Sequence, residues 1–320
     1  MKNNLILLLA FFTFSCQPKT KEKVETTPTK KEVTLKPKVS FTFDDGITND
    51  IASFKFEEWN QMILSALEEE ELKAVFFVTG KNKRDEKGKS LLKSWSDKGH
   101  VIANHTFSHP NFNREKVGVK DFERELLKTD EVISEYDTYA KLFRFPYLKE
   151  GNTEEKISGF REVLKNHGYQ NGSVTIDASD WYVNSELIKF IRKNGKDHPK
   201  VNLYKEFYLQ HILERANYYE DLSYQLNNRH IPHTLLLHHN LSSALFLDDL
   251  IQKFKEEGWE VMSADRAFED DIFKNNPNVN PAGESLIWSL AKESGNYEGK
   301  LRYPAEDSRY EIPKMKKLGL

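Results

Sequence analysis

Seven short apolar segments recur along the chain between residues 38 and 263, and each has the length of a β-strand. They cover residues 38–43, 73–79, 100–104, 141–145, 172–177, 233–238 and 259–263. Apolar residues fill these segments almost without interruption, which is typical of strands that are covered on both faces of a parallel sheet.

Segments of helical length separate the predicted strands. Apolar residues recur every three or four positions in residues 53–70, 119–135, 154–167 and 246–257, so one face of each helix would be apolar. Strands that alternate with helices predict parallel pairing through right-handed crossovers. Seven such units in one α/β domain favour an irregular seven-stranded parallel (β/α) barrel, and an open doubly wound sheet is the alternative fold.

The pattern also divides the chain into parts. We expect a signal segment at residues 1–16, a flexible linker at 17–37 that has too few apolar residues to fold, a single barrel domain at 38–270, and an extension at 271–320 packed on the barrel. The connection 182–232 is long and rich in Tyr and Phe. It fits either a roof over the active-site face or a helix that buries its aromatic residues against the barrel.

The first sixteen residues have the form of an export signal. Lys2 precedes an apolar run at residues 5–14, and Cys16 follows directly after Ser15. This arrangement resembles a bacterial lipoprotein signal, in which the cysteine is lipidated and becomes the first residue of the mature protein. We therefore expect an exported, cell-envelope lipoprotein anchored to a bacterial membrane through Cys16; a plain secretory signal is the alternative.

Composition narrows the function only slightly. The net charge is −3 and both signs are mixed along 320 residues, so no basic surface for nucleic acid is predicted. The single cysteine excludes an internal disulfide. Aromatic residues make up 12% of the chain, a fraction that suits carbohydrate stacking and an ordinary core equally well.

Polar residues lie at the carboxyl ends of five of the predicted strands or just after them. They are Asp44 and Asp45, His105 and His109, Arg144 and Tyr147, Asp180 and Trp181, and His238 and His239. In a parallel α/β barrel the carboxyl ends of all strands share one face, and this face carries the chemistry. A simple Asp-Gly turn would explain the first pair in isolation, but it would not explain five polar groups that converge on one rim.

The two histidines of HTFSH suggest a metal site. His105 and His109 are four residues apart, and Thr106 stands where the zinc-protease pattern requires a glutamate. Two histidines and one carboxylate make a three-ligand centre with open positions for water and substrate. One of the two aspartates Asp44 and Asp45 could then bind the metal, while its neighbour takes a proton.

Five motifs together resemble one family. TFDDG, HTFSH, RFPY, DASDW and LLLHH occur in the order found in the polysaccharide deacetylases, the NodB homology group or carbohydrate esterase family 4. The resemblance covers roughly residues 38–270. It implies a hydrolase that removes N- or O-linked acetyl groups from a carbohydrate by attack of metal-bound water. It also implies one divalent metal, first of all Zn²⁺, with Co²⁺, Ni²⁺ or Mn²⁺ as alternatives.

The resemblance assigns roles at the first three motifs. It implies that Asp45, His105 and His109 hold the metal and that Asp44 is the general base. Arg144 matches the arginine that orients this base.

The resemblance assigns the remaining roles as follows. Tyr147 matches the residue whose backbone N–H stabilises the oxyanion beside the bound substrate. His238 matches the general acid, and Asp180 matches the carboxylate that positions it. Trp181 and Leu236 match the residues that wall the acetyl pocket.

Some choices stay open at this point. Asp177 is the alternative partner of the catalytic histidine, and His239, which stands where the family often has Asp, is expected at the rim. We expect a monomer that binds an acetylated carbohydrate and no nucleic acid. The alternative functions are hydrolysis of a non-sugar amide on the same fold and, less favoured, glycan binding without catalysis.

Overall fold

The computed structural model describes residues 36–301 and 308–320. The expected signal segment with Cys16 and nearly all of the expected linker lie outside the described residues. No helix within the described ranges is long and apolar enough to cross a membrane.

The described residues form a mostly parallel sheet. Its strands are β1 (Lys38–Asp45), β2 (Val75–Val78), β3 (Val101–Asn104), β4 (Tyr139–Phe143), β5 (Lys149–Gly151), β6 (Gln170–Asn171), β7 (Pro232–His238), β8 (Glu260–Val261) and β9 (Ala282–Gly283). The main sheet has the order β6-β4-β3-β2-β1-β7, with β8 beside the start of β1, and every one of these pairs is parallel. Strands β5 and β9 form a separate antiparallel pair.

Helices connect the strands and cover the sheet. They are α1 (Phe56–Glu69), α2 (Glu86–Asp97), α3 (Val119–Ile133), α4 (Glu154–Asn166), α5 (Asp180–Asn194), α6 (Val201–Asn227), α7 (Leu241–Glu256), α8 (Ala264–Ala267), α9 (Leu286–Ser294) and α10 (Glu311–Lys317). Short 3₁₀ turns lie at Lys81–Lys83, Pro146–Leu148, Asp271–Lys274 and Glu298–Lys300. The apolar stripe of α1, which includes Trp59, Ile63 and Leu67, is fully buried as its spacing predicts.

The parallel α/β prediction is confirmed, but the fifth predicted strand is wrong in detail. Six predicted strands match β1, β2, β3, β4, β7 and β8, whereas residues 172–177 do not form a continuous strand. Strand β6 pairs with β4 just before this segment, and Ile176 then forms a single bridge to Leu235 of β7. The segment therefore curls the sheet, because it continues from the edge strand β6 and reaches β7 at the opposite end of the strand order.

Alternate side chains of β1 lie on opposite faces of the sheet, one apolar and one polar. Phe41 and Phe43 pack in the apolar core, while Ser40, Thr42 and Asp44 share the opposite face. The hydroxyls of Ser40 and Thr42 donate hydrogen bonds of 2.8 and 2.9 Å to carbonyls of β7. A buried polar column thus leads along the inner face of β1 to a carboxylate at its end.

The long connection between the fifth and sixth predicted strands contains α5 and α6. Tyr204, Phe207, Tyr208 and Tyr219 of α6 are buried in the main core, and Tyr224 is exposed. These contacts match the packed helix of the two alternatives considered for residues 182–232.

The C-terminal residues also contact the barrel wall. The backbone N–H of Leu286 in α9 donates to the carbonyl of Val174, and Ser285 donates to the carbonyl of Thr175. Helix α9 lies within the extension expected at 271–320. The boundaries proposed between domain and extension remain predictions.

The sheet curls at Gly172, where there is no room for a side chain. A Cβ atom there would lie 2.4 Å from the Phe77 ring, which itself packs 3.9 Å from the guanidinium carbon of Arg144. We expect Gly172→Ala to destabilise the fold by about 1–3 kcal/mol through overpacking. Chemical denaturation measures this loss of stability, and the denaturant slope (m-value) should stay unchanged.

The control for this prediction is Gly299→Ala, because a Cβ at Gly299 meets no heavy atom of the described residues within 4 Å. Its effect should stay within about 0.5 kcal/mol. Equal unfolding midpoints for the two variants would contradict the packing argument.

Candidate active site

A buried ion pair lies at the carboxyl end of β1. Arg144 Nη1 is 2.8 Å from Asp44 Oδ1 and also donates to the Thr42 hydroxyl at 2.8 Å. Its Nε donates to the carbonyl of Gly172 at 2.8 Å. Burial raises the pKa of Asp44 above its usual value, although the Arg144 charge opposes this shift. Arg144 thus fixes the orientation of a carboxylate that takes up a proton more readily than an exposed one.

Asp45, His105 and His109 lie together beside this pair. Their candidate ligand atoms all lie within 4.8 Å of one another. Asp45 Oδ1 is 3.9 Å from His105 Nε2 and 3.6 Å from His109 Nε2. Asp44 Oδ2 is 3.6 Å from His105 Nε2, so the second aspartate stands at the edge of the same cluster.

The protonation states of these groups suit metal binding. Burial lowers the pKa of both His105 and His109 to about 4, so both imidazoles are neutral at neutral pH. Burial opposes ionisation of Asp45, but the charges of neighbouring groups, first of all His238, outweigh it and lower its pKa. His105 donates its Nδ1 hydrogen to the carbonyl of Arg144 at 2.8 Å, which leaves the Nε2 lone pair facing the cluster.

The donor set fits a divalent cation. Metal ligands at about 2.1 Å in a tetrahedral arrangement lie about 3.4 Å from one another. The separations of 3.9 and 3.6 Å between Asp45 Oδ1 and the Nε2 atoms of His105 and His109 are close to this value, so small side-chain movements would complete the geometry. Two neutral imidazoles and one carboxylate also leave open positions for water and substrate, as in hydrolytic zinc sites.

A second histidine–carboxylate pair lies at the end of β7. His238 Nδ1 is 2.6 Å from Asp180 Oδ1, and the His238 backbone N–H donates to Asp180 Oδ2 at 2.8 Å. Burial alone would lower the pKa of His238, but the Asp180 carboxylate outweighs it and raises the pKa to about 10. The imidazolium is therefore kept charged at neutral pH. Asp44 and His238 are directly paired across β1 and β7, so the two side chains face the same side of the sheet.

Asp180, and not Asp177, is the carboxylate that contacts His238. Asp177 is buried, and its carbonyl accepts a hydrogen bond of 3.1 Å from Arg215 Nε. Burial raises the pKa of the Asp177 carboxyl despite the nearby Arg215 charge.

The aromatic residues expected around the substrate differ in exposure. Tyr147 is 47% exposed, and its ring centroid lies 4.6 Å from that of His109. Trp181 follows Asp180 at the start of α5 and is 37% exposed. Leu236 is buried beside Leu148. Tyr147 and Trp181 therefore offer surface for a ligand, whereas Leu236 lies beneath the surface.

A cavity of about 340 Å³ opens beside the candidate metal ligands. Asp45 and His109 form part of its wall, together with the polar side chains of Asn49 and Asn82. This volume and lining suit a polar ligand about the size of a sugar ring.

Backbone strain is concentrated in the same loops. Five non-glycine site or near-site residues have left-handed conformations: Asp45 (φ 78°), Thr106 (φ 66°), His109 (φ 59°), Tyr147 (φ 58°) and Ser179 (φ 51°). Such conformations persist where the surrounding contacts enforce them, and they cluster at functional sites. The loops at the strand ends are thus held in shapes that their sequences alone would disfavour.

The expectation that His239 lies at the rim is wrong. Its side chain is fully buried, with its ring centroid 4.4 Å from that of Trp59 and Nε2 3.0 Å from the Asn60 side-chain oxygen. Successive residues leave a strand on opposite sides, so His238 faces the site and His239 faces the helical layer.

Sequence reasoning missed Lys83 and Asn240. Lys83 is 1% exposed, and its Nζ lies 3.5 Å from where a Cβ of Gly46 would stand. Burial lowers its pKa to about 8, and its charge helps to keep the pKa of Asp45 low. Asn240 caps α7 and donates to Asp180 Oδ2 at 2.9 Å. An Asn directly before a helix is a recognisable cap signal, so Asn240 could have been found. Lys83 lies in the basic run 81–84, a pattern typical of an exposed surface, so no signal in the sequence indicates its burial.

Comparisons with known proteins agree with the motif resemblance. The family model "Polysaccharide deacetylase" matches residues 31–172. A peptidoglycan-N-acetylglucosamine deacetylase of Bacillus cereus is 38% identical over 113 residues, which are 35% of this chain and 37% of that protein. The matched segment thus spans little more than a third of that relative. The peptidoglycan-N-acetylmuramic acid deacetylase PdaA of Bacillus subtilis is 25% identical over 229 residues, 71% of this chain and 70% of that protein.

A solved structure supports the fold. The crystal structure of the Bc1960 peptidoglycan N-acetylglucosamine deacetylase in complex with 4-naphthalen-1-yl-N-oxidanyl-benzamide aligns with a TM-score of 0.51 and 24% identity. The alignment covers 74% of this chain and 90% of that one.

The His238–Asp180 pair gives a direct prediction. We expect Asp180→Asn to lower the pKa of His238 by about 1–3, because the substitution removes the opposite charge that stabilises the imidazolium. A pH titration of the His238 ring by NMR measures this. An unchanged pKa would contradict the assignment of its elevation to Asp180.

The His238–Asp180 pair also predicts how the stability of the fold depends on pH. A histidine whose pKa is raised from 6.5 to about 10 stabilises the fold below pH 6.5, and this contribution is lost as the pH rises through about 10. Asp180→Asn should therefore cost more stability at pH 6 than at pH 10. Thermal unfolding at the two pH values provides the comparison.

Proposed function

Because residues 31–172 of this chain belong to the polysaccharide deacetylase family, we propose that the protein hydrolyses acetyl groups on a cell-wall carbohydrate, with the N-acetyl amino sugars of peptidoglycan as substrate. The observation that carries the proposal is the pairing of two units on one face. One unit is the cluster of Asp45, His105 and His109 beside Asp44. The other is the charged His238–Asp180 pair.

Asp45, His105 and His109 would hold one divalent cation, and zinc is the first candidate because its preferred ligands are nitrogen and carboxylate oxygen. When bound, this cation supplies a Lewis acid that polarises the acetyl carbonyl and acidifies water. The depressed pKa values of the two histidines favour their role, since ligating imidazoles must be neutral.

Asp44 would act as general base. Its side chain is 3% exposed, and Arg144 holds it at 2.8 Å, so its free oxygen is directed with little rotational freedom. The raised pKa of Asp44 brings its basicity closer to neutral pH, which makes proton transfer from water more favourable.

His238 would act as general acid. A cationic imidazole can give a proton to the departing amine, and Asp180 both orients the ring and stabilises its charge. The backbone N–H of Tyr147 would donate to the oxygen that gains negative charge in the transition state. Trp181 would contact the acetyl group or the sugar ring from the rim, and Leu236 would contribute apolar packing below it.

Acetate release from a substrate panel tests the reaction. The panel contains N-acetylglucosamine oligomers, peptidoglycan, acetylxylan, aryl acetates and an aryl acetamide as the non-sugar amide, each with zinc or with a chelator. We expect release from an N-acetylated glycan that stops with chelator. Asp44→Asn should lower kcat by about 10²–10⁴, as expected for loss of a general base.

Asp97→Asn is the matched control. Asp97 is an exposed residue of α2 that pairs with Lys93, so the same chemical change should leave kcat unaltered. Acetate release only from a non-sugar amide would redirect the proposal to that substrate class. Zinc binding without release from any member of the panel would overturn a hydrolytic role.

We also propose that the protein is exported and lipidated at Cys16. The support is the sequence form of residues 1–16, together with the cell-wall substrates in the names of the relatives. Metabolic labelling with an alkyne fatty acid should mark the full-length protein in a bacterial host and not its Cys16→Ser variant. An unlabelled wild-type protein in the soluble exported fraction would contradict lipid anchoring.

A further inference from the structure

The loop that carries the two metal-site histidines has a strained backbone. Between His105 and His109, Thr106 has φ 66°, and His109 itself has φ 59°. Each left-handed non-glycine residue costs free energy that surrounding contacts must offset. The loop therefore needs a structural support if both imidazoles are to face Asp45 before a cation binds.

The residue before the loop supplies this support. Asn104 is fully buried at the end of β3, and its Oδ1 accepts a hydrogen bond of 2.9 Å from the Thr106 N–H. The Thr106 hydroxyl in turn accepts a hydrogen bond of 3.1 Å from the His109 N–H. The side chains of Asn104 and Thr106 thus hold the backbone at the two left-handed residues, Thr106 and His109.

The other end of the Asn104 amide is anchored in the barrel wall. Its Nδ2 donates to the carbonyl of Leu126 in α3 at 3.0 Å and to the Tyr169 hydroxyl at 3.2 Å. The Tyr169 hydroxyl donates to Asp130, which also accepts a hydrogen bond of 2.8 Å from Tyr139. Rotating the amide by half a turn would place its NH₂ group against the Thr106 N–H, so these contacts allow one orientation.

We propose that Asn104 is a positioning residue for the metal ligands His105 and His109, and that the Tyr169–Asp130 pair fixes the orientation of its amide. The inference rests on the metal site of the proposed function. Asn104 reaches the cation only through the loop, and it would raise metal affinity by holding the loop in its binding conformation. Outer residues of this kind are typically worth 10–100-fold in metal affinity.

Zinc affinity of the metal-free protein tests the proposal without any assay of activity. We expect Asn104→Ala to weaken zinc binding at least tenfold in calorimetric titrations against a competing chelator. Tyr169→Phe keeps the ring in its packed position and removes one hydroxyl, so it should fold and weaken binding by a smaller factor.

Asn60→Ala is the matched control. Asn60 is also a buried asparagine with several polar contacts, to Ser94, Trp95 and His239, and none of these lies in the 105–109 loop. We expect it to lower the unfolding midpoint as Asn104→Ala does, while zinc affinity stays within twofold of wild type.

The possible outcomes distinguish the positioning role of Asn104 from the existence of the metal site. A wild-type protein that binds zinc together with an Asn104→Ala variant of equal affinity would overturn the positioning role alone. If Asn104→Ala fails to fold, unchanged affinity in Tyr169→Phe overturns the role assigned to the network. A wild-type protein that binds no divalent metal would overturn the metal site and this inference with it.

Discussion

The buried guanidinium of Arg144 is the contact on which the site depends. It joins the Asp44 carboxylate of β1 to the carbonyl of Gly172 in the segment that curls the sheet. The backbone of the same residue accepts the hydrogen of His105 and donates to the carbonyl of Asn104. Removing one partner of a buried ion pair typically costs about 3–5 kcal/mol, so a change at Arg144 would disturb the barrel wall and the Asp44 carboxylate together.

The two adjacent aspartates, Asp44 and Asp45, lie in different surroundings. Asp44 faces Arg144 inside the sheet, whereas Asp45 has a left-handed backbone and turns toward the histidines. The following Gly46 also has a positive φ of 72°, and a Cβ there would lie 3.0 Å from both Lys83 and Trp95. The pKa of Asp44 is thus raised, as suits the proposed base, and that of Asp45 is lowered, as suits the proposed ligand, because each carboxylate meets different charges.

The sequence predicted the features that depend on local pattern. Apolar runs located six strands, and the polar residues at the strand ends come together because parallel strands share one carboxyl edge. It did not predict the broken strand at 172–177, since Ile176 pairs with β7 for one residue only and such an irregularity depends on how the sheet curls. The position of His239 was also misjudged, and the burial of Lys83 was not anticipated. Their burial arises from tertiary packing around Trp59, Trp95 and Gly46, which no spacing along the chain reveals.

Anomalous diffraction at the zinc edge from zinc-loaded crystals would show which side chains hold the cation. We expect one strong peak about 2.0–2.2 Å from a carboxylate oxygen of Asp45 and from Nε2 of both His105 and His109. The Asp44 carboxylate should remain bonded to Arg144, outside the ligand set. A peak coordinated by Asp44 in place of Asp45, or a principal zinc site elsewhere on the protein, would contradict the account.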